Sequence, residues 1–354
     1  MSEEDEGSAR FPSEINSMTK HLLVDMPLND KYVEQLHANP LIELSIVEPS
    51  EDARLLPSPL AKKTEILFVS SLPINITEME SLRFIQIASA DYSELCGLGL
   101  PERKVRACNG LGNFDVPIAE WNMAMMVNLA RDLRSMIRNQ DEALWDRSAR
   151  FQREIRGSTV GIWGYGGIGR ETARLAKWWG MNIHVMSRQG LAPRLNTYRV
   201  LGTGDPEGNL PDKVFTSGQE ESFLKELDFL ILSMPLTNKT RGIVGERELR
   251  FLPRSAFILN PGRGPLVDET ALIRALREGW IAGAALDTHY YYPMPPDHPL
   301  WRIPNVIMTP HISGSSSSPH FLDRIWDIFT QNVERYIFGE QLLNELTPAQ
   351  LNEN

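Results

Sequence analysis

Short apolar runs alternate with polar stretches of helical periodicity along most of the chain. Between residues 20 and 120, the runs HLLVDM, EILFVS and RFIQIAS are candidate strands. From Thr159 onward the alternation is stronger, and six apolar segments are predicted strands: 159–164, 182–187, 229–234, 256–260, 282–287 and 305–309. Apolar strands that alternate with helical or loop connections are typical of a doubly wound parallel sheet covered on both faces. The pattern therefore predicts an α/β fold with two layered domains.

Two longer helical segments bear on how the domains are connected. Residues 119–140 have an apolar helical face and predict one long helix that bridges two domains. Residues 319–339 predict an amphipathic helix that returns to the first domain, which would make that domain discontinuous. We expect the following division: an acidic mobile tail over 1–18, a first domain over 19–118 and 315–354, and an inserted second domain over 119–314.

Composition and charge exclude several functional classes. The 354 residues suit about two domains, since a domain holds roughly 100 to 200 residues. The 46 acidic residues exceed the 36 lysines and arginines, and this net charge of -10 argues against a nucleic-acid partner. No apolar run reaches the roughly 18 residues of a membrane-spanning helix. The two cysteines lack metal-ligand spacing and the N-terminal segment lacks a secretory signal pattern, so we expect no metal site and a cytoplasmic location.

A glycine pattern predicts a dinucleotide site. Gly164, Gly166 and Gly169 stand in the spacing G-x-G-x-x-G. The spacing alone is a weak signal, with roughly 0.1 chance matches expected in a chain of this length. Here an apolar strand precedes it and a helix follows, as pyrophosphate binding at a helix N-terminus requires. The alternative is a glycine-rich turn without a ligand. We expect the cofactor-binding turn to comprise Gly164, Gly166, Gly167, Ile168 and Gly169.

The end of the next strand indicates which dinucleotide binds. A site for NAD carries Asp or Glu about 20 residues beyond the glycines, where the carboxylate binds the ribose hydroxyls. This chain has Ser187 and Arg188 there. A hydroxyl and a cation suit a 2'-phosphate, so we predict NADP, with NAD as a possibility. A solvated surface arginine is the alternative. The segment that follows, 190–211, is rich in Gly and Pro and predicts an exposed loop.

Three chemically active side chains follow three predicted strands of the same sheet. Arg263 follows the fourth strand, Asp287 ends the fifth and His311 follows the sixth. The carboxyl ends of parallel strands meet at one edge, where ligands of open α/β sheets bind. Each residue has a structural alternative: Arg263 could cap a loop, Asp287 could cap a turn, and a single histidine is more often structural than catalytic. Their joint placement predicts one site.

As a set, these motifs resemble the D-isomer-specific 2-hydroxyacid dehydrogenases. The resemblance is carried by GYGGIG, SMPLTNKTRGIV, LNPGRGPLVDETAL, GAALD, PLWRIPNVIMTPHISG and the upstream AEW. This family includes glyoxylate/hydroxypyruvate reductases and phosphoglycerate dehydrogenases, and formate dehydrogenases are related to it. The resemblance implies a homodimer of two-domain subunits with Rossmann-like folds. It assigns 119–314 to dinucleotide binding and the first domain to a small carboxylate substrate.

The resemblance also assigns roles to individual residues. It makes Arg263 the group that binds the substrate carboxylate and carbonyl, and His311 the proton donor to the 2-oxo oxygen. Asp287 would contact the nicotinamide side, beside His311, and Pro235 would line the adenosine site. The backbone amides of Ser89 and Ala90 would bind the substrate carboxylate.

One position departs from the family pattern. Tyr292 stands where the family has a Glu that pairs with its histidine. A phenol can orient His311 through a hydrogen bond but supplies no charge, and a histidine of pKa near 6.5 is only about a quarter protonated at pH 7. We therefore expect keto-acid reduction to favour mildly acidic pH.

Because of this departure, two alternatives stay open beside an NADP-preferring 2-oxo acid reductase. One is a dehydrogenase of a small oxyanion such as formate, since the related formate dehydrogenases also lack the Glu. The other is a non-catalytic regulator of this fold that senses the nicotinamide cofactor.

Overall fold

The computed structural model describes residues 19–50, 52–148, 153–188, 190–194 and 196–352. The predicted acidic tail, 1–18, lies outside these residues. The chain divides into two compact units. The first contains the described residues up to Gly110 together with those from Leu322 onward, and the second runs from Leu111 to Phe321.

The first unit is built on a parallel sheet of five strands in the order β2-β1-β3-β4-β5. Its strands are β1 (Lys20–Asp25), β2 (Ile42–Ile46), β3 (Ile66–Val69), β4 (Phe84–Ile87) and β5 (Arg106–Cys108). The helices are α1 (Asp30–His37), α2 (Ser58–Lys63), most of α9 (Pro319–Ile337) and α10 (Pro348–Leu351). The fully buried Trp326 and Phe329 of α9 pack against Phe68 of β3, which ties the end of the chain to this sheet.

The second unit is built on a parallel sheet of seven strands in the order β12-β11-β10-β9-β6-β7-β8. Its strands are β6 (Thr159–Trp163), β7 (Asn182–Met186), β8 (Lys213–Phe215), β9 (Phe229–Leu232), β10 (Phe257–Asn260), β11 (Gly283–Leu286) and β12 (Val306–Met308). Its helices are α3 (Asp115–Ala130), α4 (Leu133–Asp141), α5 (Gly167–Trp178), α6 (Glu220–Leu224), α7 (Glu246–Phe251) and α8 (Glu269–Glu278).

The strand order places a topological switch point in the second sheet. The first strand of this sheet, β6, pairs with β7 on one side and with β9 on the other. Chain connections therefore leave β6 in one direction and return on its other side, which opens a crevice at the carboxyl ends of these strands. The predicted doubly wound α/β fold is confirmed, with all six predicted strands of this sheet present.

Two elements differ from the sequence-based prediction. The helix predicted over 119–140 is two helices, α3 and α4, because Asp132 has a φ of 47° and interrupts the helical backbone. The seventh strand, β8, was not predicted because it is short and largely exposed, so that it lacks an apolar run. Among the described residues, no helix is long and apolar enough to cross a membrane.

Candidate active site

The glycine-rich turn joins β6 to α5 at the switch point. Gly164 has a φ of +98°, and a Cβ atom there would lie 2.9 Å from the backbone N of Met234. A Cβ at Gly169 would lie 2.5 Å from the carbonyl oxygen of Gly164, so the helix packs directly on the turn. The first N–H groups of a helix have no acceptor inside it. The turn is thus a backbone cradle that suits a pyrophosphate, and the helix dipole favours the negative charge.

Residues at the ends of the neighbouring strands flank this cradle. Ser187 directly follows β7, and its hydroxyl donates to the carbonyl of Gly190 at 2.7 Å. Arg188 is exposed and forms no ion pair with a described carboxylate. Pro235, which lies shortly after β9, is exposed, and its carbonyl accepts a hydrogen bond from the Thr240 hydroxyl at 2.8 Å. The assignment of these positions to the adenosine half of a dinucleotide, and of Arg188 to a 2'-phosphate, stays a prediction.

Arg263 is held by a polar side chain at the end of β10. The buried Asn260 donates through Nδ2 to the carbonyl of Arg263 at 2.8 Å, and its Oδ1 accepts from the N–H of Gly262 at 3.2 Å. Gly264 then passes so close to His289 that a Cβ would lie 2.5 Å from the His289 carbonyl oxygen. Sequence reasoning missed Asn260 as a positioning residue, although an asparagine that ends the apolar run FILN is a signal.

A fully buried carboxylate organises the loop after β12. The oxygens of Asp287 accept hydrogen bonds from the hydroxyl of Thr309 (2.6 Å), the N–H of Ile312 (2.9 Å), and both the N–H (3.0 Å) and the hydroxyl of Ser313. In the same loop, His311 has a φ of 57° and its N–H donates to the carbonyl of Asp287 at 2.8 Å. The backbone of His311 is therefore fixed in a conformation that is uncommon outside glycine.

The predicted contact between Asp287 and the nicotinamide remains a prediction. Each carboxylate oxygen of Asp287 already accepts two hydrogen bonds from residues of the loop after β12. The role that the geometry supports directly is positioning, since Asp287 holds the segment that carries His311.

Thr309 connects this network to helix α3. Its hydroxyl, which donates to Asp287, accepts a hydrogen bond from the indole N–H of Trp121 at 3.2 Å. Its carbonyl oxygen lies 2.8 Å from Nε2 of the buried His289. Sequence reasoning missed Thr309 because it sits at the end of an apolar strand pattern, where a threonine carries no separate signal.

Tyr292 faces His311 through its ring. The two ring centroids are 5.6 Å apart with an interplanar angle of 55°. The Tyr292 hydroxyl accepts a hydrogen bond from the N–H of His289 at 3.1 Å, and among the described residues it forms none with the His311 imidazole. The phenol thus contacts the histidine by packing, where the sequence had suggested a hydrogen bond.

The surroundings of His311 favour the neutral imidazole. The residue keeps some exposed surface, yet desolvation by the groups packed around it lowers its pKa from the ordinary value of 6.5. The Asp287 carboxylate opposes this shift, whereas Arg263 and His289 add to it.

The remaining predicted site residues, Ser89 and Ala90, belong to the first unit and follow β4. The carbonyl of Ser89 accepts from the N–H of Gly110 at 2.7 Å, and that of Ala90 accepts from Nδ2 of Asn109 at 2.8 Å. Neither backbone N–H donates to an acceptor within the described part of the chain. This short segment therefore presents two N–H groups that suit a carboxylate.

Comparison with known proteins gives a consistent result. Residues 123–313 match the profile of the NAD binding domain of D-isomer specific 2-hydroxyacid dehydrogenases. The chain is 31% identical over 263 residues to a glyoxylate reductase of Korarchaeum cryptofilum, covering 73% of this chain and 74% of that protein. It is 30% identical over 273 residues to a putative 2-hydroxyacid dehydrogenase of Haemophilus influenzae, covering 74% and 80%.

A solved structure shows the same architecture. The crystal structure of a D-isomer specific 2-hydroxyacid dehydrogenase family protein from Aeromonas salmonicida subsp. salmonicida superimposes with a TM-score of 0.72 and 26% identity. The match covers 94% of this chain and 99% of the other.

The packing of Tyr292 on His311 leads to a titration test. We expect the His311 imidazole to titrate below 6.5 in the wild-type chain and at a higher pH in the Tyr292→Glu variant, because a carboxylate beside the ring stabilises the imidazolium. The measurement is a histidine-resolved NMR pH titration. Tyr292→Gln, which adds no charge, is the control and should leave the titration near its wild-type position. An unchanged midpoint in Tyr292→Glu would contradict the assigned proximity.

Proposed function

Because the chain belongs to the D-isomer-specific 2-hydroxyacid dehydrogenase family and is a nicotinamide-dependent oxidoreductase, we propose that it is an NADP-preferring 2-oxo acid reductase. The observation that carries this proposal is the fixed backbone of His311, which the buried Asp287 holds in the loop after β12, together with Arg263 after β10 at the same edge of the sheet. An acid/base group and a carboxylate-binding cation at one sheet edge suit reduction of a keto acid.

Arg263 and His311 have separate roles in the proposed reaction. The nicotinamide, when bound, supplies or accepts the hydride at C2 of the substrate. Arg263 binds the oxo acid and polarises its carbonyl, and its cation stabilises the negative charge that develops on the oxygen. Protonated His311 delivers a proton to that oxygen, and in the reverse direction neutral His311 removes it from the hydroxyl. The balance is one hydride and one proton for each 2-oxo acid reduced.

The lowered pKa of His311 sets the direction of the pH dependence. Reduction requires the imidazolium, whose population falls as pH rises through the His311 pKa. The expected profile of kcat/KM for reduction therefore declines toward alkaline pH, with its midpoint below 6.5. Oxidation of the hydroxy acid requires the neutral imidazole. Its rate should therefore stay high down to a lower pH than it would if a Glu stood at position 292 and raised the pKa of His311.

For the substrate carboxylate, we propose that the N–H groups of Ser89 and Ala90 act as donors. The support is the chemistry of the segment after β4, where two successive backbone amides have no acceptor among the described residues. Such paired N–H groups bind small anions without a side chain.

The activity is tested with a panel of 2-oxo acids. Glyoxylate, hydroxypyruvate and phenylpyruvate are assayed with NADPH and NADH, and formate is included for the oxidative direction. We expect turnover of at least one 2-oxo acid. His311→Ala should lower kcat by a factor on the order of 100 or more with little change in cofactor affinity, since it removes only the acid/base group. Arg263→Ala should raise KM and lower kcat, because this residue both binds and polarises the substrate.

The panel also separates the alternatives. Turnover of formate alone would identify an oxyanion dehydrogenase, which the absence of a Glu beside His311 favours. Tight cofactor binding without turnover of any acid would identify a non-catalytic sensor. Either result would contradict the reductase assignment.

The cofactor preference is tested at Arg188. We expect Arg188→Ala to weaken NADPH binding about tenfold to a hundredfold, since a charge-assisted hydrogen bond is worth about 1.5–3 kcal/mol, and to leave NADH binding unchanged. Dissociation constants are measured by calorimetry. Arg199→Ala, at another exposed arginine in the segment that follows, is the control. Equal losses for both cofactors would count against a 2'-phosphate contact.

We also propose a homodimer that forms around α4. None of the residues of α4 is buried, and Ile137, Leu144 and Trp145 expose 58%, 57% and 88% of their surface. Three large apolar groups in one short region are typical of an interface. We expect Trp145→Ser to shift the chain toward monomer in light-scattering measurements. Trp178→Ser, at a similarly exposed tryptophan of α5, should leave the oligomeric state unchanged. A wild-type chain that is monomeric at micromolar concentration would overturn the proposal.

A further inference from the structure

The loop formed by residues 190–194 and 196–211 is anchored beside the glycine-rich turn. Its composition predicted an exposed loop, yet Asp205 and Tyr198 in it are buried. The Asp205 carboxylate accepts a hydrogen bond from the hydroxyl of Tyr165, the second residue of the glycine motif, at 2.7 Å. It also accepts from the N–H groups of Asn209 and Leu210, each at 3.0 Å. The loop is thereby closed on itself and bound to the turn.

Two charged residues near the start of α5 hold the loop. The buried guanidinium of Arg170 donates to the carbonyls of Ala192 and Asp205, and thus to both ends of the loop. The buried carboxylate of Glu171 accepts from the N–H of Gly204 at 2.6 Å. Both side chains are buried, and Glu171 also forms an ion pair with Arg174 of the same helix. These hydrogen bonds join the loop to the N-terminal part of α5.

This anchoring delivers a second cation, Arg194, to the turn. The N–H of Arg194 donates to the carbonyl of Pro206 at 2.9 Å, which fixes its backbone. Its Nη1 lies 3.7 Å from the position that a Cβ atom at Gly166 would occupy. Apart from Gly166 and the residues next to it in the chain, no other described residue has an atom within 4 Å of this position. Unlike Arg170, Arg194 forms no side-chain hydrogen bond or ion pair with a described residue. The Arg194 guanidinium therefore lies over the side of Gly166 that would carry a Cβ atom.

The position of this cation suits a diphosphate. The first N–H groups of α5 and the helix dipole favour a negative charge at the turn. The guanidinium of Arg194 adds a positive charge beside Gly166 and offers paired N–H donors to phosphate oxygens.

We propose that Arg194 binds the pyrophosphate of the dinucleotide from above Gly166, and that the loop around it exists to hold this cation in place. The inference rests on the proposed cofactor site. It assigns Arg194 to the diphosphate that NADH and NADPH share, whereas Arg188 is assigned to the 2'-phosphate that only NADPH carries. The two arginines therefore have separable signatures in binding.

The test measures dissociation constants by calorimetry for NADH, NADPH, adenosine 5'-diphosphate and adenosine. Arg194→Gln should weaken NADH, NADPH and the diphosphate by one common factor of about tenfold or more, because one charge-assisted contact is lost in each. Adenosine binding should not change. The dependence of log Kd on log salt should also become less steep, since one cation fewer meets the phosphates.

Controls separate this role from a structural one. Arg188→Gln should weaken NADPH alone, and Arg199→Gln should change nothing. Thermal melting of Arg194→Gln without ligand should match the wild type, because its guanidinium carries no packing contact that the fold requires. Wild-type affinity of Arg194→Gln for NADH, or a loss confined to NADPH, would overturn this inference while leaving the proposed function intact. A wild-type chain that binds neither dinucleotide would overturn both.

Discussion

The buried carboxylate of Asp287 is the interaction on which the carboxyl edge of the second sheet depends. A charge without solvent is costly unless every oxygen is satisfied by donors. Here the donors come from Thr309, Ile312 and Ser313, so the chain after β12 must fold around Asp287 in one way. That folding sets the unusual backbone of His311. The position of the His311 imidazole thus follows from the hydrogen bonds that the buried Asp287 carboxylate requires.

The same principle of anchored charge recurs at the other end of the cofactor crevice. Arg170 and Glu171 are buried near the start of α5, and both form hydrogen bonds with backbone groups of a loop that comes from later in the chain. Glu171 also forms an ion pair with Arg174 of the same helix. In both places a buried ionic group fixes the backbone of a loop by hydrogen bonds. The loop after β12 carries His311, and the loop after β7 carries Arg194, and neither of these side chains is fully buried. Net charge says little about such sites: this chain carries -10, yet cations stand at the turn and at the end of β10.

The apolar pattern located the strands but not their ends. The predicted segments 159–164, 182–187 and 282–287 each run one residue past the observed strands. The extra residues are Gly164, Ser187 and Asp287, where the backbone leaves the sheet and the site begins. A hydropathy pattern reports burial, and burial falls only partly at Gly164 and Ser187 and not at all at Asp287. It does not report φ, which is also why the break at Asp132 was not foreseen.

The sequence by itself determined the α/β architecture, the glycine-rich turn and the set of residues at the strand ends, because these depend on local periodicity and on short motifs. Only the tertiary structure decided how those residues are held. In the folded chain, the Tyr292 hydroxyl accepts a hydrogen bond from the N–H of His289, and Asn260 donates to the carbonyl of Arg263. The loop that follows β7 holds the backbone of Arg194. Such partners are distant in sequence or hidden in apolar runs, and they are selected by packing and by the need to satisfy buried polar groups.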